Sequence, residues 1–388
     1  MKIKSIEIQG IGGIKNLKVD FDETMNFICG PNGIGKTTLI ECVAHSFTFV
    51  STNILKKNFS TNNSFAKSKV IIDGQELSTN INISEFDPNK TSSVQGLLKY
   101  SSKLMSLKVT RNFNYQNLNN LGKDINKNDS TFHRECMIGL NINEIKNWFI
   151  NRYLFSARPK DLEPEQLSNF ELAKKSISLL SKDYRFSRVI GSSFDIMINT
   201  PTGEVYYEYL SSGFKSCLSI IFGIIKEIEF RFKEPCINAK DFDGIILIDE
   251  LELHLHPEWQ TKIAEILIKV FPKAQFITTT HSPHILQNAK PNQIIALCSE
   301  GDQITRKNLS ESEYGYQGWS IEEILVDVMG MSDTRTDTYN DLMESFTSAI
   351  DKEDYQESLK IYEKLDALLH PNNHLRKLLK FQLAAIRG

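Results

Sequence analysis

The sequence has no cysteine pair at CxxC spacing, no long apolar run and no excess of one charge. Its six cysteines, Cys29, Cys42, Cys136, Cys217, Cys236 and Cys298, are scattered through 388 residues. That spacing reads as free thiols in a reducing cytoplasm, not as a disulfide framework. A membrane-spanning helix needs about 18 or more consecutive apolar residues, and none occurs. The opening residues 1–7 alternate as a strand does and lack the apolar centre of a signal peptide. The expected location is therefore cytoplasmic, with no membrane partner. With 45 Lys and Arg against 48 Asp and Glu, the net charge of −3 supplies no general attraction to nucleic acid. Any such contact needs a local patch. No sustained heptad run is present, which excludes a long coiled-coil arm. What is there is ordinary for a globular chain: 40% hydrophobic and 24% charged residues. This is enough for a sizeable core without disulfides or a structural metal, and the length suggests two or three domains.

Residues 3–9 and 17–21 alternate around Gly10-Ile11-Gly12-Gly13, a hairpin-like pair. Residues 25–29 read as a buried strand running into a glycine-rich turn, followed by a helix from Lys36 to about Phe49. Residues 51–67 are polar and loop-like, and Asp73-Gly74 signals a β-hairpin. A helix is expected over 94–103, a strand over 107–109, and a mobile Asn- and Lys-rich loop over 116–131. Helical periodicity returns over 141–153 and 163–182, with Trp148, Phe149 and Tyr153 on a buried stripe. Strands over 194–199 and 204–209 flank Pro201-Thr202-Gly203, and 214–232 reads as a long, strongly apolar helix. A strand (245–248), a helix (257–271), a strand (275–279), another helix and a strand (293–298) follow. This alternation predicts a parallel sheet covered on both faces, an α/β fold. From 311 the chain is expected to be wholly helical, and to 370 it is rich in acids. Its last fifteen residues turn basic through Arg376, Lys377, Lys380 and Arg387.

Gly30-Pro31-Asn32-Gly33-Ile34-Gly35-Lys36-Thr37 matches GxxxxGK[ST] between a strand and a helix. Such a loop turns backbone N–H groups inward around phosphate oxygens, and the helix N-terminus adds its positive end. Gly30, Asn32, Gly33, Gly35, Lys36, Thr37 and Thr38 form the expected nucleotide-binding set, with Lys36 on the β/γ-phosphates and Thr37 on Mg²⁺. The strand Ile245–Ile248 ends in Asp249-Glu250. Asp249 is the second expected Mg²⁺ residue, and Glu250 is the natural base for the attacking water. The strand 276–280 ends in His281, placed to meet the γ-phosphate or that water. ATP and Mg²⁺ are thus the expected substrate and ion. His254-x-His256, with Glu250 and Glu252 nearby, also permits a zinc reading, but a structural role is preferred because no further ligand set is visible.

Together with Leu210-Ser211-Ser212-Gly213, these motifs resemble the ABC-type ATPase family in order and approximate spacing. The resemblance implies a P-loop ATPase head in two sequence pieces, 1–50 and 190–310. It leaves an inserted hairpin and helical subdomain at 51–189 and a helical C-terminal region at 311–388. It also implies that Ser211 and Gly213 contact the γ-phosphate held by a second subunit, so that ATP is sandwiched in a head-to-tail dimer or a higher homo-oligomer. The segments Glu252–Gln260, Phe271–Phe276 and Thr280–Pro283 look like the RecF/OLD/SMC-like branch, and most like the ATPase subunits of anti-phage systems such as Septu and PARIS. The Mg²⁺-holding glutamine of the family has Gln75, Gln95 and Gln116 as candidates here, and Arg111 is an alternative facing the phosphates. Phe214 stands where transporters usually carry glutamine, which weighs against a transporter subunit.

The resemblance implies an ATPase subunit of a prokaryotic defence complex that holds or regulates a separate nuclease effector. Its trigger would be nucleic acid or a phage protein. The chain after His281 is expected to be too short and too helical for the nuclease module of OLD proteins. A RecF-like DNA clamp is the alternative, with Lys56, Lys57, Lys67, Lys69 and the basic C-terminus as its patch.

Overall fold

A computed structural model describes residues 1–109, 117–309 and 313–387. Contacts divide it into two units, 1–330 and a second from Met331 onward. In chain order the strands of the first unit are β1 (Lys2–Ile11), β2 (Ile14–Asp20), β3 (Met25–Cys29), β4 (Phe49–Thr52), β5 (Phe65–Ile72), β6 (Gln75–Asn82), β7 (Ser92–Gln95) and β8 (Leu104–Leu107). They continue with β9 (Arg185–Ile190), β10 (Asp195–Thr200), β11 (Gly203–Tyr206), β12 (Ile245–Ile248), β13 (Gln275–Thr279), β14 (Ile294–Glu300) and β15 (Gln303–Arg306). The helices that matter below are α1 (Lys36–His45), α2 (Asp129–Ile138), α3 (Ile145–Ser156), α4 (Pro164–Leu180), α5 (Ser212–Arg231), α6 (Pro257–Gln260) and α7 (Ile263–Val270).

The central sheet has the order β15-β14-β3-β13-β12-β8 and is parallel except for β15 at its edge. Each inner strand is apolar on both faces. Ile246 and Ile248 of β12 join one core cluster, while Ile245 and Leu247 join the other. Phe276 and Ile277 of β13 divide in the same way. Burial on both sides is why these strands read as solid apolar runs rather than alternating ones. The expected parallel α/β sheet is therefore present. A second, antiparallel sheet, β2-β1-β5-β6, carries the N-terminal hairpin. Its β5–β6 turn places Asp73 and Gly74 at φ 49° and 80°, the left-handed pair that an Asp-Gly hairpin requires.

Several expected elements are corrected. Residues 94–103 are not a helix: β7 ends at Gln95, and only a 3₁₀ turn, Leu98–Lys103, precedes β8. β8 lies at 104–107, not 107–109, and forms the parallel edge beside β12. α1 stops at His45 because Phe49 enters β4. The strand expected over 204–209 ends at Tyr206, and the helix expected over 257–271 is broken at Thr261-Lys262 into α6 and α7. Between 313 and 330 only a three-residue helix, Ile321–Glu323, and a π turn, Ile324–Val328, occur, so the region is not wholly helical.

The loop expected over 116–131 is present over the described residues 117–128 and gives way to α2 at Asp129. Residues 117–128 form no helix or strand, yet they are pinned by polar bonds. Gly122 N–H donates to Asn147 Oδ1 at 2.9 Å, and Lys127 bonds Glu227 at 2.7 Å. Composition counts such charges as solvated and cannot see the opposite charges waiting on α2 and α5. Residues 51–189 supply β5 and β6 to the N-terminal sheet and β8 to the central one. Trp148 and Phe149 are fully buried and Tyr153 partly so, the expected stripe. The second unit has three helices, Asp337–Asp351, Tyr355–Leu368 and His374–Ala385, around Phe346, Ile361, Leu365 and Leu379.

Candidate active site

The motifs meet because three adjacent parallel strands, β3, β13 and β12, end side by side. The glycine loop follows β3, Thr280-His281 follows β13, and Asp249-Glu250 follows β12. Carboxyl ends of neighbouring parallel strands form the usual ligand crevice of open α/β sheets. The backbone stitches this edge together: Thr280 N–H donates to Ile28 O, Leu251 N–H to Thr279 O, and Asp249 N–H to Leu107 O of the edge strand.

In the loop, Gly30 has φ 135°, and a Cβ there would lie 2.4 Å from Leu297 O, so only glycine fits. Gly35, at φ 101°, is the N-cap of α1. Lys36 is buried and donates to Gly30 O at 2.9 Å and Pro31 O at 2.8 Å. Burial pushes its pKa below the ordinary lysine value, with Cys29 and the nearby acids opposing. An ammonium stripped of water in this way gains most from an anion. Asn32, Gly33 and Thr37 are exposed at the loop mouth, and Thr38 is half-buried.

Thr37 Oγ1 lies 3.5 Å from both carboxylate oxygens of Asp249. A hydroxyl and a carboxylate converging beside a phosphate loop are the hard oxygen donors Mg²⁺ takes, with phosphate oxygens and water completing its shell. These two residues therefore fit the ion. Thr279, which the motif reading passed over, holds them in place. Its hydroxyl donates to Asp249 Oδ1 at 2.6 Å and accepts the Glu250 N–H at 2.7 Å. Glu250 has φ 51°, a left-handed conformation that turns the chain sharply away from β12. A non-glycine residue held there by its surroundings is typical of functional turns. His281 is exposed, and its N–H donates to Glu252 Oε1 at 2.5 Å.

A second overlooked pair lies behind the site. Glu41, one turn beyond Thr37 on α1, accepts from Lys108 Nζ at 2.5 Å just past the end of β8. Burial raises the Glu41 pKa against the pull of Lys108, and the Asp249 charge adds to the rise. Next along α1, fully buried His45 bonds Glu41 O at 2.7 Å and Thr52 Oγ1 at 2.9 Å. Burial drops its pKa to about 4, so it is neutral at physiological pH.

Ser211 and Gly213 do not join the loop within one chain. Ser211 is the exposed N-cap of α5, accepting the Phe214 N–H at 3.3 Å. Gly213 presses on the turn after Glu250: a Cβ there would meet Trp259, His256 N and His254 O at 3.1–3.3 Å. Among the described residues no hydrogen bond links either to residues 30–38. His256 caps α6, and no metal-holding group of three or more His, Cys, Asp or Glu side chains occurs among the described residues.

Gln75 opens β6 at a hairpin turn, and Gln95 ends β7 by the far end of α1, so neither reaches the carboxyl edge. Gln116 and Arg111 lie outside the described residues. Of the lysines suggested as a DNA patch, Lys56 is spent on Asp87 O and Lys90 O, Lys57 on Asn62 O, and Lys69 on Glu76. Lys67 stays exposed. All six cysteines are free thiols. Among the described residues no helix is long and apolar enough to cross a membrane.

A family model described as "AAA domain, putative AbiEii toxin, Type IV TA system" matches residues 25–287. The chain is similar to the Septu protein PtuA of Bacillus thuringiensis, with 43% identity over 387 residues covering 98% of each chain. It also resembles the "Retron Ec83 probable ATPase" of Escherichia coli, with 27% identity over 49% of this chain and 34% of the other. Among solved structures, the SMC head domain from Thermotoga maritima aligns with a TM-score of 0.48 and 15% identity, over 80% of this chain and 100% of that one.

Proposed function

Since the chain belongs to the family of the Septu protein PtuA, we propose that it is the ATP-binding and hydrolysing subunit of a prokaryotic anti-phage defence complex. The observation that carries this reading is the convergence of Lys36, Thr37, Asp249 and Glu250 on one sheet edge. With ATP in the loop, backbone N–H groups and the α1 N-terminus cradle the phosphates, and Lys36 leaves the Gly30 and Pro31 carbonyls for the β/γ oxygens. Thr37 and Asp249 would hold Mg²⁺, which would supply positive charge against the phosphates. Thr279 keeps Asp249 and the Glu250 backbone in register, so that Glu250 faces the attacking water as its base. His281, exposed at the next strand end, senses the γ-phosphate.

In this reading a second copy supplies the group opposite the γ-phosphate. Ser211, exposed at the start of the 20-residue helix α5, is the natural donor from a second copy. Gly213 supports it by letting α5 approach the 254–259 turn. Two ATP molecules would thus be sandwiched in a head-to-tail homodimer, which could assemble further. In this reading the assembly controls a separate nuclease, and the chain itself does not cut nucleic acid.

Glu250→Gln tests the core of the reading. It should retain ATP, cut steady-state hydrolysis at least about a hundredfold, and give an ATP-dependent dimer by light scattering. Full hydrolysis would remove Glu250 from its role, and an ATP-loaded monomer would remove the sandwich.

A further inference from the structure

A second, unrelated site lies far along the chain from the phosphate loop. Helix α4, strand β9 and the short turn Ala239–Asp241 line an open groove of about 500 Å³. Its walls carry Lys174, Lys175, Arg185 and Lys240 against a single acid, Glu171. Glu171 is already used, at 2.6 Å from Lys174. Lys175, Arg185 and Lys240 are exposed, and among the described residues none has an acidic partner. Lys4, Lys262 and Lys273, by contrast, pair with Glu76, Glu258 and Asp241.

In a chain of net charge −3, three unneutralised cations around one concavity are a focused positive potential. The cations come from three separate elements, so the clustering is tertiary. On α4, Lys174, Lys175 and Ser178 share one face by their three- and four-residue spacing. The adjoining face, through Phe170, Ala173 and Ile177, is buried in the core, which leaves Lys175 and Ser178 turned outward. Phe186 of β9 adds an aromatic wall, itself braced edge-on by Phe149 and Tyr153.

We propose that this groove binds the phosphodiester backbone of single-stranded nucleic acid. A basic channel with an aromatic wall is how proteins hold single strands without reading sequence. The inference goes beyond the ATPase reading and does not depend on it.

The test uses the full chain carrying Lys36→Ala, so that the phosphate loop cannot contribute, and a fluorescein-labelled 20-nucleotide DNA. Anisotropy is followed from 50 to 300 mM NaCl. The variant Lys175→Gln/Arg185→Gln/Lys240→Gln should bind at least tenfold more weakly at 100 mM. Its slope of log K against log salt should be shallower by about 2, at roughly 0.7 per lost contact on a single strand. Lys175→Gln and Lys240→Gln alone, each on its own element, should each shift the slope by about 0.7, which preserves the test if the triple variant misfolds. An unchanged slope and affinity would overturn the proposal. So would equal displacement by inorganic tripolyphosphate at matched phosphate concentration, which would make this a site for free oligophosphate. Tighter binding of a 20-base-pair duplex would overturn the single-strand assignment.

Discussion

The carboxyl edge of the central sheet and the last third of α5 treat charge in opposite ways. At the sheet edge, Thr37 and Glu250 stand at least partly open to solvent, and the strands beneath carry no charged side chain. In α5, Lys226, Glu227, Glu229 and Arg231 are buried inside the protein. Lys226 bonds Glu227 at 2.7 Å and Glu144 at 2.8 Å. Lys127 reaches Glu227 at 2.7 Å and Glu135 at 2.5 Å, and Arg231 reaches Glu135 at 2.7 Å. Further along, Glu229 takes Arg152 at 2.7 Å and the Trp148 indole at 2.8 Å. Burial alone would raise the Glu227 pKa, but Lys226, Arg231 and Lys127 together hold it below the ordinary carboxylate range. Such a lattice need not add stability over an apolar core, but removing one member is costly. Here it admits one register of α5 against α2, α3 and residues 124–127. In the ATPase reading the sheet edge arranges charge for chemistry, whereas the lattice arranges it for position. In the sandwich reading, the position so held is that of Ser211 at the other end of the same helix.

The contrast can be broken at three points. Glu227→Ala leaves Lys226, Lys127 and Arg231 without their shared partner, and should lower stability by about 3–5 kcal/mol. Urea denaturation checks this, and a loss under about 1 kcal/mol would make the lattice decorative. Lys36→Ala should do the reverse. Hydrolysis should fall by roughly 10²–10³, about 2.7–4 kcal/mol of transition-state stabilisation, with an unchanged urea midpoint.

A third point is His45. Its pKa is about 4 in the fold and 6.5 in the unfolded chain, so on acidification the unfolded state takes up the proton first. Its contribution is intact above pH 6.5 and is lost as pH falls towards 4, a change of about 3 kcal/mol. Glu41, with a raised pKa, acts with the opposite sign. The measurement is therefore the difference in pH slope between wild type and His45→Gln, and equal slopes would refute the assignment.

The carboxyl edge of the central sheet was legible because its information is local. A glycine loop between strand and helix, and an acid pair at the end of a four-residue apolar strand, are each encoded within ten residues. Thr279 escaped because a threonine inside a strand reads as β-propensity, and only strand order puts its hydroxyl beside Asp249. The reading of α5 as simply apolar missed the lattice for a similar reason. Its four charges look like a solvated helix end until residues about 80–100 positions away arrive to neutralise them.

By itself, the sequence determined the parallel α/β sheet, the phosphate loop and the acids at the end of β12, because periodicity and backbone requirements act over short stretches. Only the tertiary structure decided that β3, β13 and β12 end side by side. It also decided that residues 117–128 are pinned and that Lys175, Arg185 and Lys240 share one groove. Burial and charge pairing depend on which distant segments meet, and no local pattern carries that information.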